Sequence, residues 1–232
     1  MSYEIFLDAI PVVLSGLWLT LKITLLAFLV GQVVGLPLAL ARASGLRILN
    51  VPAFTYTFLV RGSPLLVQLF IVYYGLGQIE FVRNSIFWPV LRDPVNCAFL
   101  TIGLNSAAYV AELLKGAIIL VPPGQREVAR TLGLSRIQTM TRIVLPQAYR
   151  AIIPPLGNEL VLVLKASTLA SAVTVMEMTG AARAMVAKTY APFEVFIVAG
   201  VLYLLIGMIV SGVFQKLERL FVVPGTTTGR AA

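Results

Sequence analysis

The sequence predicts an all-α integral membrane protein of about five transmembrane helices, with the N-terminus outside and the C-terminus in the cytoplasm. Three observations carry that expectation. Hydrophobic residues are 59% of the 232 and charged residues 12%, at a mean hydropathy of +0.92, whereas soluble domains are about half apolar and a quarter charged. Five apolar runs are each long enough to cross about 30 Å of hydrocarbon. Lysine and arginine gather in alternate connections, as the positive-inside rule requires. No separate soluble domain fits, so residues 1–232 read as one membrane domain.

The first run, Leu14 to Ala41, follows Glu4 and Asp8. A cleaved signal would be positive there, so the run reads as an anchor that stays. Gly31 and Gly35 within it form a small-xxx-small pair, a candidate helix contact. The second run, Val51 to Leu76, contains Pro64, which should bend or loosen it. The third spans Val95 to Leu114, the fourth Ala151 to Met176 and the fifth Phe193 to Leu217. Arg42 and Arg47 lie between runs one and two. Arg126, Arg130, Arg136, Arg142 and Arg150 lie between three and four, and Lys216, Arg219 and Arg230 follow five. The alternate side carries Glu4 and Asp8, a balanced loop (Glu80, Arg83, Arg92, Asp93) and a short loop with Arg183, Lys188 and Glu194. Trp18, Phe87 and Trp88 fall where an outer aromatic belt would. The terminal PGTTTGRAA should be frayed.

The net charge of +8 therefore reads as cytoplasmic-side loading and not as a nucleic-acid surface. The chain has no histidine and one cysteine, Cys97, which removes the raw material for metal clusters, disulfides and histidine-based catalysis. No metal site or catalytic residue is assigned. No internal repeat is visible, and an odd number of spans fits an inverted-repeat carrier poorly.

The third connection, VPPGQREVARTLGLSRIQTMTRIVLPQAYR, is too patterned for a plain loop. Pro122 and Pro123 end one helix and open another. Gln125 to Leu132 reads as a short helix, and Gly133 as a stop or sharp turn. Ser135 can cap a second helix with Ile137, Met140 and Val144 at helical spacing, which Pro146 ends. Ala129 offers a small surface for close approach, with Glu127 and the arginines supplying charge-assisted contacts. A bland alternative is an amphipathic helix lying on the membrane.

The spacing Glu127-Val128-Ala129, Gly133, then Ile143-Val144-Leu145-Pro146 resembles the EAA motif of permease subunits in bacterial ATP-binding-cassette (ABC) importers. It departs only in Val128, where that pattern has alanine. The resemblance implies a coupling helix, over about residues 121–146, seated in a cleft of a cytoplasmic ATPase. Glu127, Ala129, Arg130, Gly133, Leu145 and Pro146 would carry that coupling. The chain lacks a G-x-x-x-x-G-K-[ST] phosphate loop, so ATP-Mg would be bound by the partner and no cofactor by this chain.

A charge inside a span costs about 2.5 to 3.5 kcal/mol on insertion scales, so each one needs an explanation. VRGSPLLVQLF places Arg61 and Gln68 seven apart and so nearly on one helix face. It resembles the Arg-Gly-Thr-Pro-x-x-x-Gln stretch of polar amino-acid permeases, although Arg61 could equally snorkel to the interface. Tyr109 and Glu112, three apart, resemble the family's Ala-Tyr-x-x-Glu segment, and Lys115 could pair with Glu112. GNELVLVLKAST sets Glu159 about 12 Å into the fourth helix from Ala151, with Lys165 on another face. The stripe Ser167, Ala170, Ser171, Thr174 suits close packing or a wet cavity. By resemblance this helix lines the substrate pathway. Glu112 or Glu159 would suit a cationic end, and Arg61 or Lys165 with Ser167 and Thr168 an α-carboxylate. The alternative is that these groups pair across helices.

Segments such as VNCAFLTIGLNSAAYVAELLKGAI and TYAPFEVFIVAGVLYLLI look most like the histidine/lysine/arginine/ornithine branch and its opine-uptake relatives. That resemblance implies an inner-membrane heterodimer of two homologous permeases, two ATPase subunits and a periplasmic solute-binding protein, with an amino acid as cargo. A stand-alone channel or ion-coupled amino-acid carrier would explain the buried charges but not the loop motif. An intramembrane enzyme finds little support: there is no H-E-x-x-H, and no convincing nucleophile and base pair stands out.

Overall fold

The computed structural model describes residues 3–221, so the expectation for the terminal PGTTTGRAA and for Arg230 lies outside the described residues. Every regular element among the described residues is helical. The chain runs through α1 (Tyr3–Ser15), α2 (Leu17–Ala43), α3 (Arg47–Gly62), α4 (Leu65–Phe70), α5 (Glu80–Arg83) and α6 (Trp88–Leu91). It continues through α7 (Pro94–Leu120), α8 (Pro123–Thr131), α9 (Arg136–Thr139), α10 (Leu145–Ala166), α11 (Met178–Thr189) and α12 (Pro192–Phe221). Among the described residues, four helical columns are long and apolar enough to cross a membrane: Leu17–Ala43, Pro94–Leu120, Arg136–Val173 and Pro192–Phe221. A fifth exists only if α3 and the segment Leu65–Gln78, bent 106° from each other, count as one broken span.

The second span is therefore not the continuous helix expected from Val51 to Leu76. Pro64 disfavours the helical region for the residue before it. Ser63 is accordingly extended (φ −113°, ψ 147°), as is Pro64 itself (φ −64°, ψ 128°). Two consecutive extended residues turn the chain instead of kinking it. The first span also differs: α1 is a separate helix joined to α2 at Gly16. A Cβ at Gly16 would lie 2.4 Å from the Met178 amide nitrogen, so the backbone before α11 sits directly on the α1–α2 joint. The stretch expected as a short loop around Arg183 and Lys188 is α11 itself.

The centre of the fold is the crossing of α2 and α7, where small residues let two backbones meet. A Cβ at Gly31 would lie 2.8 Å from Ser106 Oγ, one at Gly35 2.8 Å from Val110 Cγ1, and one at Gly103 2.8 Å from the Ala27 carbonyl oxygen. The expected Gly31/Gly35 contact is thus real. Apolar packing spreads along this axis in three clusters. One, at the loop end, joins Ala39, Leu114, Ile118, Val144 and Ile152. A middle one joins Ile23, Leu69, Ile102, Val163 and Val173. The third, at the far end, joins α1, α11 and α12 through Val13, Met178 and Val195. On α12, Leu204, Met208, Ile209 and Val213 are each about half exposed or more, as a face turned to lipid or another subunit would be.

The fourth column begins well before Ala151. Pro146 does not end a helix; it lies in the first turn of α10, where its missing N–H costs least. The residues before it, Met140–Val144, form a π segment in which Leu145 N–H bonds to the Met140 carbonyl. The wider turn carries the chain past the proline, so α9 and α10 form one column. That column tightens into a 3₁₀ segment at Ser167–Val173 and stops at Thr174, whose φ is +67°.

Candidate functional site

A cavity of about 360 Å³ opens between α3, α7 and α10, lined by Arg61, Tyr109, Glu112, Leu113, Pro155, Asn158, Glu159 and Leu162. Four polar residues expected on a pathway, Arg61, Tyr109, Glu112 and Glu159, meet there. Arg61 ends α3, and its guanidinium carbon stands 5.2 Å from the centroid of the Tyr109 ring. A cation over an aromatic face holds the arginine at the cavity. Glu159 is 5% exposed and accepts a hydrogen bond from Ser106 Oγ at 2.7 Å. Ser106 lies where Gly31 lets α2 close on α7, so helix packing sets the carboxylate's position.

Glu112 is differently placed. Its carboxylate accepts from Arg42 Nε at 2.8 Å, Thr57 Oγ1 at 3.2 Å and Lys115 Nζ at 3.3 Å. Arg42 also donates to Asn50 and lies 4.8 Å from the Phe54 ring centroid. The anticipated Glu112–Lys115 pair therefore exists, inside a larger network joining α2, α3 and α7.

Arg61 and Gln68 do not share a helix face, because the turn at Ser63–Pro64 separates them. Gln68 folds back instead. Its Nε2 donates to the Val60 carbonyl at 2.8 Å and Ser63 Oγ at 2.8 Å, while its Oε1 accepts from Asn105 Nδ2 at 3.1 Å. It thus caps carbonyls that the end of α3 leaves open. Lys165, Ser167 and Thr168 lie outside this cavity's lining. The Ser167 and Thr168 hydroxyls each bond back to a backbone carbonyl, Leu164 and Lys165, at 2.7 Å.

In the loop, the local signals work as expected. Gly133, at φ +76°, ends α8; its N–H reaches the Arg130 carbonyl at 2.9 Å, and that of Leu134 the Ala129 carbonyl at 3.0 Å. This closing pair with a left-handed residue is the Schellman pattern. Ser135 opens α9 with a capping box: its Oγ accepts from Gln138 N–H, and Gln138 Oε1 accepts from Ser135 N–H at 2.8 Å. Glu127 and Arg130 are exposed. Ala129 is 0% exposed, so it does not offer its methyl outward; its small size instead lets α8 close onto its own chain. Beside it lies an apolar groove of about 340 Å³ lined by Gly124, Gln125, Val128, Ala129, Leu132 and Ile143.

Residues 31–222 match the model of the "binding-protein-dependent transport system inner membrane component" family. The chain belongs to that family. It is 44% identical over 205 residues to an octopine transport system permease of Rhizobium radiobacter, covering 88% of this chain and 84% of the relative. It is 36% identical over 206 residues to the histidine/lysine/arginine/ornithine transport system permease of Escherichia coli K12, covering 88% and 87%. A crystal structure of an amino acid ABC transporter with histidines superposes with a TM-score of 0.81 at 34% identity, over 95% of this chain and 99% of that one. A methionine ABC transporter at TM-score 0.77 and 17% identity shows the fold alone.

The protein is a multi-pass permease subunit of an ABC importer. It is a transport component, and ATP hydrolysis belongs to separate ATPase subunits. The stand-alone channel or carrier is set aside on the same comparisons. Several site residues escaped sequence reasoning. Ser106 and Asn105 look like ordinary small polar residues in a span. Arg42 carried only a topological signal, and Asn158 was visible only as the neighbour of Glu159. Away from the site, Glu177, fully buried and capping α11, also follows the fourth span with no motif to mark it.

Proposed function

We propose that this permease subunit translocates polar, chiefly basic, amino acids or related opines across the bacterial inner membrane by alternating access. Its N-terminus lies outside and its C-terminus in the cytoplasm, and a second, homologous permease chain completes a heterodimer. Two ATPase subunits complete the importer, and one of them engages this loop through Glu127, Arg130 and the turn at Gly133. Ala129, Leu145 and Pro146 shape the fold of that handle. A periplasmic binding protein delivers the solute. ATP moves the equilibrium only through contacts that differ between the two states.

The observation that carries the substrate class is the meeting of Arg61 and Glu159 in one cavity. Arg61 suits an α-carboxylate, and Glu159 a cationic side chain. Glu112 is already engaged by Arg42 and Lys115, whereas the partner of Glu159 is an uncharged hydroxyl. Glu159 is therefore the carboxylate that discriminates. Lys165 and Thr168 belong to the path beyond this cavity, whereas Gln68 and the fully buried Ser167 hold the neighbouring helix ends through backbone carbonyls. In proteoliposomes holding the whole complex, Glu159→Gln should lower uptake of arginine about tenfold more than uptake of a neutral amino acid, as loss of a charge-assisted contact implies. Equal losses for both solutes would make the carboxylate purely structural.

A further inference from the structure

The nine residues of α8 are too few to hold themselves in place. Two side-chain bonds from adjacent residues hold them. Arg126 Nη2 donates to the Ile118 carbonyl at 2.6 Å, in the last turn of α7, where carbonyls lack helical partners and a cation is favoured. Gln147 Nε2, in the first turn of α10, donates to Gln125 Oε1 at 2.6 Å and to the Ile143 carbonyl at 2.8 Å. One turn of α8 is thus fastened to both helices that flank the loop.

Those two helices supply every residue lining the cavity except Arg61. From Ile118 back to Glu112 is about 9 Å of helix, and from Gln147 on to Glu159 about 18 Å. No loop interrupts either path, although α10 carries Pro154 and Pro155 before Glu159, and the π segment keeps α9 in the same column as α10. A shift of α8 is therefore passed toward both cavity walls while its fasteners hold.

We propose that Gln147, through Gln125, and Arg126, through the Ile118 carbonyl, are positioning residues that convert displacement of α8 into movement of the cavity walls. This rests on α8 being the element the ATPase grips. When the bond from Gln147 breaks, α8 still docks and the motor still turns, but α10 follows it less.

The test is the ratio of ATP hydrolysed to arginine taken up by the reconstituted complex. Gln147→Leu removes the bond, and Gln147→Asn keeps the polarity but shortens the reach by one methylene. Both should keep the ATPase subunits at unchanged stoichiometry and raise the ratio about fivefold or more, the lower range of coupling between sites. The double variant Gln125→Glu/Gln147→Lys replaces the bond with a charge-assisted one and should restore the ratio. A merely structural role would lower assembly, hydrolysis and uptake together. An unchanged ratio in both Gln147 variants, or no restoration by the double variant, overturns the proposal. Glu127→Lys probes the grip separately: ATPase lost there, with normal ratios in the Gln147 variants, sinks the fastener alone. Retained ATPase and normal uptake in Glu127→Lys sinks the premise.

Discussion

Arg42, in the last turn of α2, donates its Nε to Glu112 of α7 at 2.8 Å, with side-chain exposures of only 9% and 24%. The pair belongs to a network with Asn50, Thr57 and Lys115 that ties three helices together and meets the cavity through Glu112. Removing one partner of a largely desolvated pair leaves the other short of contacts.

Arg42→Ala should therefore destabilise the purified complex by about 1–3 kcal/mol, read as a lower thermal unfolding midpoint. Adding Glu112→Gln to Arg42→Ala should cost less than Glu112→Gln alone, because the contact with Arg42 is already gone and only the ion pair with Lys115 remains to be lost. A double variant less stable than Arg42→Ala by the full cost of a second independent lesion would refute the coupling of the two residues.

Gly103 is where α7 presses closest on α2. An added methyl would sit 2.7 Å from Val30 Cβ and 2.8 Å from the Ala27 carbonyl oxygen, and a backbone atom cannot step aside. Gly103→Ala should cost about 1–3 kcal/mol as overpacking. Val30→Ala removes Cγ1, 2.8 Å from the added methyl, but keeps Cβ, so it should rescue only in part. Complete rescue would place the whole clash on the Val30 γ carbons and contradict the backbone contact.

Glu177 caps α11 by accepting from the N–H groups of Thr179 at 2.9 Å and Gly180 at 2.8 Å, and it also accepts from Tyr203 OH at 2.6 Å. It therefore joins the start of α11 to α12. Tyr203→Phe should cost about 1–3 kcal/mol, and Glu177→Ala more, because four donors, Thr20 Oγ1 at 3.5 Å among them, then lose their acceptor. In a double-mutant cycle read by thermal unfolding the two should be strongly non-additive; simple addition would mean that the contact carries little.

Glu127→Lys and Gly133→Asp should leave the chain inserted in the membrane while ATP-dependent uptake falls at least about tenfold. At Gly133 the cause is backbone conformation alone. Nothing lies within 4 Å of an added Cβ, but φ is +76°, which a side chain tolerates poorly. Gly133→Asn, better adapted to left-handed backbone, should retain more uptake than Gly133→Ala. The opposite order would show that the turn is not what matters there.

The legibility of this chain in its sequence follows how local each signal is. Gly133 and Ser135 marked the ends of α8 and α9 because cap and turn geometry is decided within four residues. Pro64 was legible as a disturbance, but its 106° outcome depends on Gln68 and Asn105 meeting across the break. Pro146 was read as a stop because a proline lacks an N–H; the structure absorbs that loss in a π segment, an arrangement with no residue signature. Ala129 looked like an exposed small residue until the closing of α8 buried it.

By itself the sequence determined what depends on composition and near neighbours: a helical membrane protein, its apolar columns, and a capped, arginine-bearing handle with an importer's spacing. Tertiary structure alone decided which charges answer one another. Glu112 pairs with Arg42 because glycines at Gly31, Gly35 and Gly103 bring α2 and α7 within contact, and Glu159 with Ser106 because α10 packs on α7. A polar group in a span takes whatever partner helix packing puts within hydrogen-bond reach, and residues fifty or more positions apart leave no periodicity from which that partner could be read.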